Sequence, residues 1–162
     1  MHSGYRIGFG HDVHQLSQGR KLVLGGILIP SEKGSVAHSD GDVLIHAICD
    51  AILGAASLGD IGTHFPDTSS EYKDIDSKLL LDRVLKLMVK EGYDIVNIDS
   101  TISLQKPKLK DYIPSMQESL SSVLKIAPNT ISIKATTTEH LGFVGREEGI
   151  SAQAVVLICK KS

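Results

Sequence analysis

The sequence predicts an α/β protein of the α+β kind, with a mixed four- to five-stranded sheet and helices on one face. Three observations carry that reading. Helical periodicity is strong in two central segments, and strand-like alternation lies towards both ends. Residues 95–136 also place a helix between two strands, the arrangement of a parallel crossover. At 162 residues, of which 41% are hydrophobic, the chain reads as a single domain, 1–162, with enough apolar side chains for a core.

Residues 5–9 and 21–29 read as two early strands, with Gly19 at a turn and Gly25–Gly26 at a bulge. Ser39 opens the strongest helical segment, and Ser39 and Asp42 have capping-box spacing. Val43, Ala47, Ile48, Ala51 and Leu53 give its apolar face, and G-D-I-G at 59–62 ends it. Residues 63–76 are polar and turn-rich (Pro66, Asp67, Ser69, Ser70), so a mobile loop is expected. A second helix spans 77–91 with Gly92 as its stop. Residues 95–104 alternate as a strand, and a short helix follows with Pro114 in its first turn, where a missing N–H costs least. Residues 130–136 and 150–159 are the last strands, expected to form an antiparallel pair across a loop spaced by Gly142, Gly145 and Gly149.

Seventeen Lys and Arg against 19 Asp and Glu give a net charge of −2, which argues against a nucleic-acid partner or a polybasic membrane patch. Aromatic residues are 4% and Trp is absent, so no platform for stacking single-stranded nucleic acid is expected. An anionic ligand remains compatible, because metal ions can supply positive charge that side chains do not. Cys49 and Cys159 are far apart and lie in apolar runs, so they read as core thiols, and a cytoplasmic location is the simplest fit. The first ten residues, MHSGYRIGFG, show no signal or transit pattern. The longest apolar run, 154–159, is far short of the ~20 residues that cross a bilayer.

Asp12-Val13-His14 places a carboxylate and an imidazole two apart, on one side of an extended chain, and both are good zinc ligands. Such triplets also arise by chance. His46 lies in the best helix between Asp42 and Asp50, each one turn away, and either acid could hold the ring nitrogen that a metal leaves free. A solvated row of salt bridges is the plainer reading of that helix. Taken together, Asp12, His14 and His46 would make a three-ligand site with one open position, as a catalytic zinc requires. His38-Ser39-Asp40-Gly41 precedes the helix, where free N–H groups favour an anion, although simple capping by Ser39 reads equally well. Lys106-Pro107-Lys108-Leu109-Lys110 is a basic cluster past a strand end, and Thr136-Thr137-Thr138-Glu139 stacks hydroxyl donors beside a carboxylate that could hold magnesium. Each also has a plain reading, as surface lysines or as β-forming threonines. No GxxxxGK[ST], HExxH or GxSxG occurs, which removes P-loop, zinc-protease and serine-hydrolase readings.

Four blocks together are more specific: G-H-D-V-H at 10–14, H-S-D-G-D-V-L-I-H-A at 38–47, L-G-D-I-G-T-H-F-P-D-T at 58–68 and K-A-T-T-T-E-H-L-G-F-V-G-R at 134–146. In this order they resemble the 2-C-methyl-D-erythritol 2,4-cyclodiphosphate synthase family over essentially the whole chain. The resemblance implies a chorismate-mutase-like homotrimer with active sites between subunits. It implies a phosphorus–oxygen lyase that turns 4-diphosphocytidyl-2-C-methyl-D-erythritol 2-phosphate into the cyclodiphosphate and CMP, in the non-mevalonate route to isoprenoids.

By the same resemblance Asp12, His14 and His46 look like zinc ligands, and Asp12 and His14 also contact substrate. Glu139 looks like the residue that helps hold a magnesium or manganese ion. His38 and Thr137 correspond to transition-state stabilisers, with Ser39 beside them. Asp60, Ile61 and Gly62, then Phe65, Pro66, Asp67, Thr68 and Ser69, match substrate-contacting segments. Leu104, Gln105, Lys106, Pro107, Lys108, Leu109 and Lys110, with Thr136, Thr137, Thr138 and Glu139, look like the cytidine diphosphate pocket. Phe143 and Arg146 fall near the trimer axis.

Two positions depart from the family pattern: Lys106 stands where a small residue is common, and Gly145-Arg146-Glu147-Glu148-Gly149 stands where G-R-G-E-G is usual. A glutamate enters positive φ less cheaply than glycine. Other readings of the same residues are a non-catalytic trimeric module for isoprenoid diphosphates or cytidine nucleotides, and a metal-dependent nucleotide pyrophosphohydrolase.

Overall fold

A computed structural model of the chain describes residues 4–161 apart from 67 and 69. The first strand, β1 (Tyr5–Gln18), is followed by β2 (Leu22–Leu24), β3 (Ile27–Ile29) and β4 (Lys33–Val36). Then come α1 (Val43–Ala55), α2 (Ile61–His64), α3 (Ser77–Lys90), β5 (Tyr93–Ser103), α4 (Ile113–Leu124), β6 (Ile131–Thr136), α5 (Gly142–Gly145) and β7 (Gly149–Lys160). Five strands form one sheet in the order β4-β1-β7-β5-β6, and β2 and β3 form a separate hairpin. The crossover expected at 95–136 is present: β5 and β6 are parallel and α4 connects them. The expected final pair is corrected. β7 is hydrogen-bonded not to β6 but between β1 and β5, antiparallel to both, and there its alternate residues Ala152, Ala154, Val156 and Ile158 are wholly buried, as small and branched apolar side chains favour.

The helices cover one face, which is lined by the even-numbered residues of the three central strands. Ile98 and Ile102 of β5 and Ala152, Ala154, Val156 and Ile158 of β7 are buried there. Gly8 and Gly10 occupy the same face of β1, and α1 lies directly on them. A Cβ on Gly10 would stand 1.9 Å from the Ala47 carbonyl oxygen, and one on Gly8 would stand 1.8 Å from that of Ala51. Ten of the 13 residues of α1 are buried, so this helix is a core element and not an amphipathic surface helix. The opposite face of the sheet is open, and Tyr5, Ile7, Phe9, Val13 and Val155 are exposed on it.

Two local expectations change. Gly25 and Gly26, with φ of 59° and 76°, form the tight turn of the β2–β3 hairpin instead of a bulge. A two-residue hairpin turn with both central residues at positive φ favours glycine at both positions. The cap of α1 is Asp42, not Ser39: its carboxylate accepts from Ile45 N at 3.0 Å, Gly25 N at 3.1 Å and Gly26 N at 2.7 Å. Ser39 is unavailable because its hydroxyl accepts from Gly41 N and faces His46. Burial pushes the Asp42 carboxyl up to about 6, against the pull of these N–H groups.

The helix stop foreseen at 59–62 is instead the start of α2, capped by Asp60. The polar stretch beyond it holds a 3-10 turn at Ser70–Tyr72. The early strands also need redrawing, since β1 runs on to Gln18 and a fourth strand, β4, pairs with its end. Cys49 is buried and Cys159 half-buried, and both thiols are free. Among the described residues no helix is long and apolar enough to cross a membrane.

Candidate metal centre and ligand cavities

Asp12 and His14 share the inner face of β1, and the close seat of α1 on Gly10 brings His46 against them. The Asp12 carboxylate oxygen Oδ2 lies 3.0 Å from His46 Nδ1 and 3.4 Å from His14 Nε2. The two ring nitrogens are 3.2 Å apart. Bonds of about 2.0–2.1 Å in a tetrahedral zinc centre place neighbouring donors about 3.3 Å apart. The three groups therefore fit a cation of that size without rearrangement, and among the described residues they form a group that can hold a metal ion.

Each histidine is held through its other nitrogen. His14 Nδ1 is 2.8 Å from the Val13 carbonyl oxygen, and His46 Nε2 is 3.0 Å from Ser77 Oγ and 3.2 Å from Ser39 Oγ. The acids flanking His46 in sequence do not serve this purpose. Asp42 caps α1, and Asp50 accepts from Ile61 N at 2.7 Å, fastening α2 to α1. Burial lowers the pKa of His14, with the nearby Asp12 charge partly offsetting it. Burial also pulls that of His46 down, but its hydrogen bond to Asp12 and the charges of Asp12, Asp42 and Asp40 outweigh this and raise it overall.

Beside the triad lies a cavity of about 460 Å³ whose walls include His14, His38, Ser39 and His46. Ile61, Gly62, Phe65, Pro66 and Thr68 complete much of its outer side, together with Tyr72, Ile75 and Leu80. Asp67 and Ser69 fall outside the described residues. Asp60 is fully exposed and caps α2, where hydrogen bonds from Thr63 lower its pKa. The N-terminus of α1 is capped by the Asp42 carboxylate, which accepts from Ile45 N. His38 and Ser39 face the cavity from the segment before it.

A second cavity, about 280 Å³, is lined by Leu104, Gln105, Pro107, Lys108, Leu109, Lys110, Ala135, Thr136 and Thr137. It shares no lining residue with the first. Leu104 and Leu109 are almost wholly buried, so their side chains belong to its floor. Thr137 Oγ1 donates to Glu139 Oε1 at 3.2 Å, and Thr138 Oγ1 donates to the Leu141 carbonyl. Glu139 and His140 both have positive φ, 52° and 64°. Two successive non-glycine residues in that region mark a loop whose shape the surrounding structure enforces.

Lys106 turns towards a third cavity of about 430 Å³, where its Nζ lies 3.3 Å from Glu147 Oε1. The two departures from the family pattern thus meet. Glu147 does take positive φ, 58°, and Lys33 Nζ donates to its carbonyl at 3.0 Å. Phe143 packs over Gly149, and Arg146 forks onto Glu148. A single chain therefore gathers the triad with the residues of the first cavity, and separately the residues of the second, without joining the two. Ser77, Asp40 and Tyr72 were not foreseen as site residues. Ser77 is 31 residues from His46, and no local pattern links them.

The fold and site define an α+β protein that gathers an aspartate and two histidines into a cation site beside a ligand-sized cavity. The chain belongs to the YgbB family, whose model matches residues 5–159. It is 63% identical over 153 residues to a Bacteroides fragilis protein named 2-C-methyl-D-erythritol 2,4-cyclodiphosphate synthase, covering 94% of this chain and 96% of that one. Among solved structures it is similar to the bifunctional IspDF from Campylobacter jejuni, with a TM-score of 0.93 and 43% identity. That match covers 96% of this chain but 42% of the bifunctional one. A structure of 2C-methyl-D-erythritol-2,4-cyclodiphosphate synthase described as the CDP-bound form matches with a TM-score of 0.88 and 38% identity, over 94% of this chain and 99% of that one.

Proposed function

We infer that this chain converts 4-diphosphocytidyl-2-C-methyl-D-erythritol 2-phosphate into 2-C-methyl-D-erythritol 2,4-cyclodiphosphate and CMP, as a phosphorus–oxygen lyase working as one domain. The observation that carries the reading is the triad itself: Asp12, His14 and His46 converge within 3.0–3.4 Å, with His14 and His46 on the wall of a 460 Å³ cavity. The relative's name and the CDP-bound neighbour supply the substrate class.

The substrate's 2-phosphate oxygen is the nucleophile. It attacks the β-phosphorus while the bond from that phosphorus to the bridging oxygen breaks, and CMP departs with the oxygen. No protein nucleophile is required, so the chain's task is to fold the substrate and meet its charge. A zinc ion on the triad would polarise the β-phosphate, and a magnesium or manganese ion held by Glu139 with the phosphates would meet charge on the departing CMP. His38, Ser39 and the residues at 60–62 and 65–69 bind the methylerythritol phosphate end. Residues 104–110, with Thr136, Thr137 and Thr138, take the cytidine diphosphate, and Thr137 and His38 donate towards charge that builds at the reacting phosphates.

The two ligand regions lie apart on one chain, which supports active sites completed by a neighbouring subunit. The open sheet face with Ile7 74% and Phe9 64% exposed supports burial of that face in a homotrimer, with Phe143 and Arg146 near its axis. Free thiols and the lack of a membrane-length helix among the described residues support a cytoplasmic enzyme.

³¹P NMR of the substrate with purified protein tests the reading. Cyclic diphosphate and CMP, lost on EDTA treatment, are expected. Linear phosphates or an unchanged spectrum with zinc and magnesium present would overturn it.

A further inference from the structure

Ser77, the first residue of α3, is fully buried, and its hydroxyl oxygen lies 3.0 Å from His46 Nε2. A serine hydroxyl has one proton to give. Ser77 gives it to Asp40 Oδ1, and Asp40 Oδ2 accepts from Ser77 N at 2.9 Å. An ionised carboxylate only accepts, so the direction of this bond is fixed. Towards His46 the Ser77 oxygen can then only accept, from a hydrogen on Nε2, and Ser39 Oγ, which accepts from Gly41 N, lies 3.2 Å from the same nitrogen. With Nε2 engaged in this way, Nδ1 is the ring atom that faces Asp12 Oδ2 at 3.0 Å and His14 Nε2 at 3.2 Å, and it is the atom an ion would take.

His14 is set in the opposite sense by the same logic. Its Nδ1 faces the Val13 carbonyl, which has no proton to offer, so Nδ1 carries the hydrogen and Nε2 points inward. Two ring nitrogens and a carboxylate oxygen therefore converge at 3.0–3.4 Å, the donor set a cation would take. The hydrogen bonds that hold Ser77 also secure the cavity wall. Asp40 N donates to the Ile75 carbonyl at 3.1 Å, Asp74 N donates to the His38 carbonyl at 2.8 Å, and Asp42 N donates to Asp40 Oδ1 at 3.1 Å.

We propose that Ser77, oriented by Asp40, is a positioning residue for the cation site: it locks His46 in the Nε2–H form and so presents Nδ1 to the ion. The proposal rests on the reading that the triad holds a cation, and adds two residues from a separate helix and loop. It also ties the segment before α3 to the ligand geometry, because Ser77 cannot leave without releasing His46.

The test uses the full-length protein stripped of metal, with zinc alone as the probe. Competition against a chromophoric chelator should give a dissociation constant 10- to 100-fold weaker for Ser77→Ala than for the parent, the range seen when an outer partner of a histidine ligand is removed. Ring-nitrogen chemical shifts of ¹⁵N-histidine-labelled protein at pH 8.5 give a second readout that general loosening would not imitate. The parent should show His46 as Nε2–H, and Ser77→Ala should show a mixture. If the parent binds no zinc, the reading of the triad itself fails. If the parent binds and Ser77→Ala binds within twofold of it, the proposal alone fails. Should Ser77→Ala not fold, an Nδ1–H signal for His46 in the metal-free parent overturns the proposal, and an Nε2–H signal supports it.

Discussion

Replacing Gly10 by alanine perturbs the contact that brings β1 and α1 together. The new Cβ would stand 1.9 Å from the Ala47 carbonyl oxygen, 2.8 Å from Ala51 N and 2.9 Å from the Ala47 carbonyl carbon. These are backbone atoms of a buried helix, so no side chain can rotate away. Reaching an ordinary contact of about 3.4 Å requires the strand and helix to separate by about 1.5 Å locally. Overpacking of this kind costs about 1–3 kcal/mol. His46 immediately precedes Ala47, so a shift of that size carries Nδ1 out of its present 3.0 Å approach to Asp12. Zinc sites tolerate about 0.2 Å in ligand distance. Gly10→Ala should therefore lose at least 1 kcal/mol (on the order of) in urea unfolding of the metal-free protein and bind zinc at least tenfold more weakly (about one ligand's partial loss). Gly54→Ala is the control. Its Cβ meets nothing closer than 4.0 Å, so it should gain up to ~1 kcal/mol from helix propensity and leave zinc affinity unchanged. A Gly10→Ala protein with parental stability and zinc affinity would refute the reasoning.

Other outcomes follow from the same geometry. The Asp42 carboxyl, raised by burial from the ordinary 3.8 to about 6, binds its proton more tightly in the folded state. Its contribution to stability is full below pH 3.8 and is lost as pH rises through 6, a loss of about 3 kcal/mol for a shift of this size. Asp42→Asn cannot ionise, so in urea unfolding with EDTA the variant should improve relative to the parent between pH 4 and pH 7; a pH-independent difference would contradict this. Glu139→Ala should lower turnover while zinc affinity stays at the parental value, since Glu139 is not part of the triad; a matching fall in zinc affinity would contradict the division of roles. The Lys106–Glu147 pair has its lysine side chain 71% exposed, so Lys106→Ala should change stability by less than ~1 kcal/mol, and less again in high salt. A larger loss in thermal denaturation would show that the pair does more than sit on the surface.

Much of the fold was legible because it depends on local signals. Pro114 in the first turn of α4, Gly92 after α3 and the helix within the β5–β6 crossover were all placed by residue type and period. The hairpin turn at Gly25–Gly26 was misread because a glycine pair suits a bulge and a tight turn alike, and register alone decides between them. The insertion of β7 between β1 and β5 is a pairing of distant segments, which periodicity does not encode. Capping was misassigned for a related reason. Ser39 and Asp42 both have suitable side chains, and Asp42 caps because the buried hairpin turn supplies two further donors. For the site, Asp12 and His14 were readable from strand spacing, and His46 from its place on a helix. Asp40 and Ser77 were not, because their roles arise only when α3 packs beside α1.

The central claim is that an ion on Asp12, His14 and His46 enables the cyclisation. The most direct measurement follows turnover by ³¹P NMR while zinc is titrated into metal-stripped protein with magnesium held constant. Cyclic diphosphate and CMP should appear in proportion to zinc and plateau near one ion per chain (about a single site), and His14→Ala should stay inactive across the titration. Full turnover without zinc, or by His14→Ala with magnesium alone, would contradict the claim.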